Sequence, residues 1–126
     1  MFIAPDPHSC MGEVVANGHC MRHVQTVASV SHSSTLRRGV HVLSAPRDEI
    51  PRGAVIGTFN SEGRYDNSTD GTSHVAVLLD RNDRDKSLRV VDQWVGKAVS
   101  ERTIHNRNGS GRPVNDASCY YVVESV

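Results

Sequence analysis

The sequence predicts an α+β fold, papain-like in plan, in which one helix packs on an antiparallel sheet of about five to six strands. Three observations predict it. An apolar stripe at helical spacing starts at Cys20, a series of β-branched and aromatic runs follows from Val40 onward, and polar turn segments separate those runs. The 126 residues suffice for a single domain, 1–126, with one core.

Residues 1–9 carry two prolines and no periodicity, and read as an extended arm. Met11 to Ala16 reads as a short helical turn ending at Asn17-Gly18. Cys20, Val24, Val27 and Ala28 follow the i, i+4, i+7, i+8 spacing of one helical face, so the helix is expected to run to about Ser31. Ser31 to Thr35 reads as loop, and Leu36-Arg37-Arg38-Gly39 as a turn closed by glycine. The expected strands are Val40–Leu43, Ala54–Phe59, His74–Leu79, Leu88–Trp94 and Cys119–Val123, with Val99–Ile104 as a weaker sixth. Gly63 to Ser73, rich in Asn, Asp, Ser, Thr and Gly, is a loop leading straight into His74.

Composition excludes several classes. Fourteen basic residues balance fourteen acidic ones, and nucleic-acid binding needs a clustered positive excess. Arg37-Arg38 and the arginines from Arg102 to Arg112 read as a solvated face. No run approaches the roughly 18 apolar residues of a membrane span, and the first ten residues carry no Lys or Arg, so no secretory signal is expected. Three cysteines are an odd set; with Cys20 set aside, Cys10 and Cys119 form a disulfide or remain buried thiols.

Chemistry is concentrated in Cys20, His74 and Asp92. A thiol at a helix start meets free backbone N–H groups and the positive helix end, which favour the thiolate. His74 opens an apolar strand after a polar loop and is positioned to act as base, while Asp92 interrupts an otherwise apolar strand and needs a partner if buried. Each has a plain structural reading: a core cysteine, an edge histidine, a solvated aspartate. Alternation puts only one of Asp92 and Gln93 on the site side, so Gln93 is the alternative orienting group. The Cys20 backbone N–H is the expected oxyanion donor, with Asn17 or His19 as a second. Zinc is a weaker reading of His8, Cys10, His19, Cys20 and His23, because no Cys-x2-Cys or His-Glu-x-x-His spacing is present.

Asn17-Gly18-His19-Cys20, Val24-Gln25, Leu36 to Gly39, Ile50 to Phe59, Gly63-Arg64-Tyr65, Ser73 to Ala76 and Val91 to Trp94 together resemble the small bacterial amidase effectors of type VI secretion. Within these the sequence is most similar to the third effector family, related to CHAP and NlpC-like peptidases. The resemblance implies a papain-like cysteine peptidase acting on peptidoglycan stem peptides, most of all the D-Ala–meso-diaminopimelate cross-link. It implies Cys20 as nucleophile, His74 as general base and Asp92 as orienting residue, with no cofactor. It also implies a cognate periplasmic immunity protein, and synthesis in the cytoplasm followed by delivery through the type VI apparatus into the target periplasm. His19 departs from the smaller or amide residue expected before the cysteine. Arg64, Tyr65 and Trp94 are the substrate-binding candidates, Arg for its planar fork. Two other readings are a non-catalytic cell-wall-binding module and a cytosolic cysteine hydrolase of another amide.

Overall fold

The computed structural model describes residues 1–126. It is α+β and papain-like: helix α1 (Cys20–Ala28) precedes six strands, β1 (Leu36–His41), β2 (Val55–Gly57), β3 (Val75–Asn82), β4 (Ser87–Trp94), β5 (Lys97–Ile104) and β6 (Tyr121–Ser125). They form one antiparallel sheet in the order β1-β6-β2-β3-β4-β5. No helix is long and apolar enough to cross a membrane.

Alternation along the central strands separates two apolar layers. Met21, Val24 and Ala28 of α1 pack on Val75, Val77 and Val91. The opposite face presents Ala76, Leu78, Leu88, Val90 and Ile104 to Val42, Ala117 and Tyr120. Fully burying each Val or Leu stabilises the fold by about 1.5–3 kcal/mol, and these strands are apolar on both faces because both are covered.

Several local expectations are corrected. Met11–Ala16 forms no helical turn. The chain there runs beside β5, where Gly12 N–H donates to Val99 O at 2.8 Å and Val99 N–H donates to Glu13 O at 2.9 Å. The helix stops at Ala28, not Ser31, because Ser29 takes a left-handed conformation (φ 55°). Leu36 to Gly39 is strand, since Leu36, Arg37 and Arg38 pair with Ser125, Glu124 and Val123. Gly39 is required there by close approach: a Cβ would stand 2.7 Å from Val122 O. The arm is extended at its start, with Val55 N–H donating to Phe2 O at 2.9 Å, and turns from Pro7.

The long connection between β5 and β6 is organised by buried Asp116. Its carboxylate accepts from the backbone N–H groups of Arg107, Gly109 and Ser118 and from the Ser118 hydroxyl. Burial opposes this charge, but those donors hold the carboxyl down at about 2. The ordered loop forms one wall of the groove described next.

Candidate active site

Cys20 is the first residue of α1, so its N–H has no intrahelical acceptor, and it makes no other hydrogen bond. The preceding residue, His19, makes no side-chain cap and leaves the helix end open. Gln93 fixes that end from the sheet: its amide accepts from Val15 N–H at 2.9 Å and donates to the carbonyls of Val15 (3.0 Å) and His19 (2.9 Å).

His74 lies just before β3. Its N–H donates to Thr58 Oγ1 at 3.0 Å, its carbonyl accepts from Thr58 N–H at 3.0 Å, and the Thr58 hydroxyl donates to Thr72 O at 2.7 Å. The backbone is thereby clamped where loop becomes strand. The buried ring meets Asp92 through Nε2 and Oδ2 at 2.7 Å, and His74 and Cys20 line the same groove.

Asp92 is fully buried in β4, on Val90's face of the sheet, whereas Gln93 points to the α1 face. Beside His74, Asp92 accepts from Arg102 Nε at 2.7 Å and from Lys97 Nζ at 2.9 Å. Both cations lie over Trp94, at 5.0 and 4.6 Å from the ring centroid, and the His74 ring meets its edge at 6.0 Å. Burial opposes ionisation of Asp92, yet the His74 hydrogen bond and charge, then Arg102 and Lys97, hold its carboxyl well below the ordinary range.

The same balance operates on the thiol. Burial raises Cys20, but the His74 hydrogen bond and charge, the Tyr65 hydroxyl and the Val75 N–H outweigh it, leaving the thiol below its usual value. For His74, burial favours the neutral ring, and the hydrogen bonds of Asp92 and Cys20 reverse this and raise it above an ordinary histidine. The two shifts together favour a thiolate–imidazolium pair backed by a carboxylate. Tyr65 stands 3.5 Å from the sulfur; burial and the nearby thiolate raise its phenol, which therefore stays protonated as a donor.

Cys20 lines a groove of about 340 Å³ together with His19, Trp94, the loop residues Ser68, Thr69, Gly71 and Ser73, and Arg112, Val114 and Asn115. A second hollow of about 150 Å³, lined by Arg47, Arg52 and Arg81 among others, shares no residue with this groove.

A family model described as domesticated amidase effector 2 matches residues 2–123. The chain belongs to that family. Among solved structures, type 6 secretion amidase effector 2 is similar, with a TM-score of 0.81 and 31% identity over 98% of this chain and 94% of that chain. No curated protein matches. The resemblance to type VI amidase effectors therefore holds, and the matching family is effector 2 where the sequence resemblance points to the third.

Of the site residues expected from sequence, the structure brings Cys20, His74, Asp92, Tyr65, Trp94 and His19 to one place. Other candidates are placed differently. Arg64 is exposed and pairs with Arg37 on the outer side of β1, away from the groove. Asn17 Oδ1 accepts from His19 N–H at 3.1 Å, so that N–H is already engaged, and Asn17 does not line the groove. Gln93 holds the helix end, not the imidazole. His23, among the zinc candidates in the sequence, is fully buried on α1 with neither ring nitrogen hydrogen-bonded.

Sequence reasoning missed Thr58, Lys97 and Arg102. Arg102, grouped with a solvated face, sits diagonal to Asp92 because Asp92 pairs with Ser100 and Val90 with Arg102. The readable signal was the demand itself: a carboxylate in an apolar strand needs cations on the neighbouring strand.

Proposed function

We propose that this amidase-effector family member is a cysteine amidase that cleaves peptide bonds of peptidoglycan, with the D-Ala–meso-diaminopimelate cross-link as its target. The observation that carries the reading is the meeting in one groove of Cys20, at an open helix end, and His74, whose ring is hydrogen-bonded to buried Asp92. In this reading the Cys20 thiolate attacks the scissile carbonyl. The Cys20 N–H, positioned at the helix end, receives the oxyanion, and Tyr65 donates towards the sulfur. Collapse of the tetrahedral intermediate expels the amine, which takes its proton from the His74 imidazolium. Water then attacks the thioester while His74 accepts a proton, and the carboxylic acid leaves with the thiolate restored. Asp92 holds the ring in the orientation and charge state both steps require.

In the same reading the type VI apparatus delivers the protein to the periplasm of a rival cell, and an immunity protein covers the groove in the producer. Purified sacculi test the core claim. Wild-type protein releases fragments whose masses identify the cut bond, and C20A releases none while keeping its circular dichroism. Undiminished release by C20A would remove the cysteine mechanism.

A further inference from the structure

Among the residues lining the groove, Arg112 is the one with a permanent charge. It has no hydrogen bond or ion pair to any protein group through its guanidinium, unlike Arg102, which is committed to Asp92 and Val114 O, and Arg107, which donates to Asn115 O. The acid nearest in charge, Asp70, is held low first by the Thr72 hydroxyl and only afterwards by Arg112, and its Oδ1 is taken by Thr72.

Arg112 is exposed, and its stem packs against the opposite wall. Its stem lies across Gly71, where φ is +90° and a Cβ would stand 2.5 Å from Arg112 Cδ. Beside it, Val114 N–H donates to Gly71 O at 3.2 Å and joins the two loop walls. The underlying loop is the one fixed by Asp116. A guanidinium whose stem packs on Gly71, whose fork is unengaged and which lines the groove can receive a carboxylate in bidentate fashion. The chemistry expected of Arg64 from sequence is thus available at Arg112 instead.

We propose that Arg112 is the carboxylate anchor of the groove, so that the enzyme selects peptides with a free carboxylate next to the scissile amide. This rests on the amidase reading. In the D-Ala–meso-diaminopimelate cross-link, the carbon bearing the scissile nitrogen carries such a carboxylate, and its amidation removes the charge without changing the backbone.

The test uses a cross-linked muropeptide dimer with that carboxylate free or amidated. Wild-type kcat/KM favours the free acid by about tenfold or more. R112Q brings the free-acid value down to the amidated one, with the loss mainly in KM, and R112K keeps part of the preference. Titration calorimetry on C20A gives the same preference in Kd, absent in C20A/R112Q. Equal values for the two dimers, or a preference that survives R112Q, overturns the anchor and leaves the amidase reading standing. Failure to cleave either dimer, with C20A still binding the free acid more tightly, removes the amidase reading and supports the anchor.

Discussion

A thiol and an imidazole that hold each other charged give a distinctive pH profile. Cys20 is lowered, against the effect of burial, chiefly by the His74 hydrogen bond; His74 is raised, also against burial, chiefly by Asp92. The reactive pair needs the thiolate, present above the Cys20 pKa, and the imidazolium, present below that of His74. The acid limb of kcat/KM is therefore expected below the usual thiol range, and the alkaline limb above the pH of an ordinary histidine. D92N moves the alkaline limb to lower pH and reduces kcat/KM by about a hundredfold or more. Iodoacetamide alkylation of Cys20 across pH checks the charge state directly; a rate that rises only near pH 9 would sink the ion pair. Cys20, His74 and Asp92 were legible because each breaks a local pattern: a thiol at a helix start, a histidine at a strand entrance, an acid in an apolar run. Thr58, Lys97 and Arg102 break none, since threonine suits any strand and cations on an outer strand usually face water.

At the level of elements, α1 has nine residues and no side-chain cap, so its start is held by tertiary contacts. Gln93 supplies three of them, two as donor and one as acceptor. Q93L leaves Val15 N–H and two carbonyls without this partner, at a cost of about 2–4 kcal/mol. Urea unfolding reads that loss, and the displaced helix end is expected to reduce kcat as well. Stability and kcat both equal to wild type would show that the helix start is held elsewhere. The helix and the six strands were visible in periodicity and β-branched runs, and most ends shifted by only a few residues. Leu36 to Gly39 misled because glycine after two arginines has the composition of a turn, whereas its cause is the backbone of β6 lying against it. Such a cause lies more than eighty residues away and leaves no local trace.

Across the whole molecule, the sheet buries both faces, and that places a titratable group inside the core. Burial, then the surrounding Lys97 and His74 charges against the opposing pull of Asp92, lowers His23 from 6.5 to about 4. Between those values the unfolded chain binds the proton and the folded one does not, so stability is complete above pH 6.5 and falls as pH drops towards 4. The loss over that interval is about 3 kcal/mol. H23L is expected to flatten this acid-side slope in urea unfolding between pH 7 and 4.5; an unchanged slope would assign it to other groups. Burial of His23 was not legible, because its neighbours Met21 and Val24 mark the helix face but not how deeply the sheet receives it.

Both margins of that sheet are occupied by the chain's own loops, Gly12 and Glu13 along β5 and Gly63 and Arg64 along β1, where Arg38 N–H donates to Gly63 O at 2.9 Å. These contacts interrupt the free ladder at each border, so an added strand would meet the chain's own backbone part-way along either edge. The groove by contrast is lined by side chains and loop residues, which puts selectivity under the control of a few exposed positions and leaves the strands to serve as scaffold.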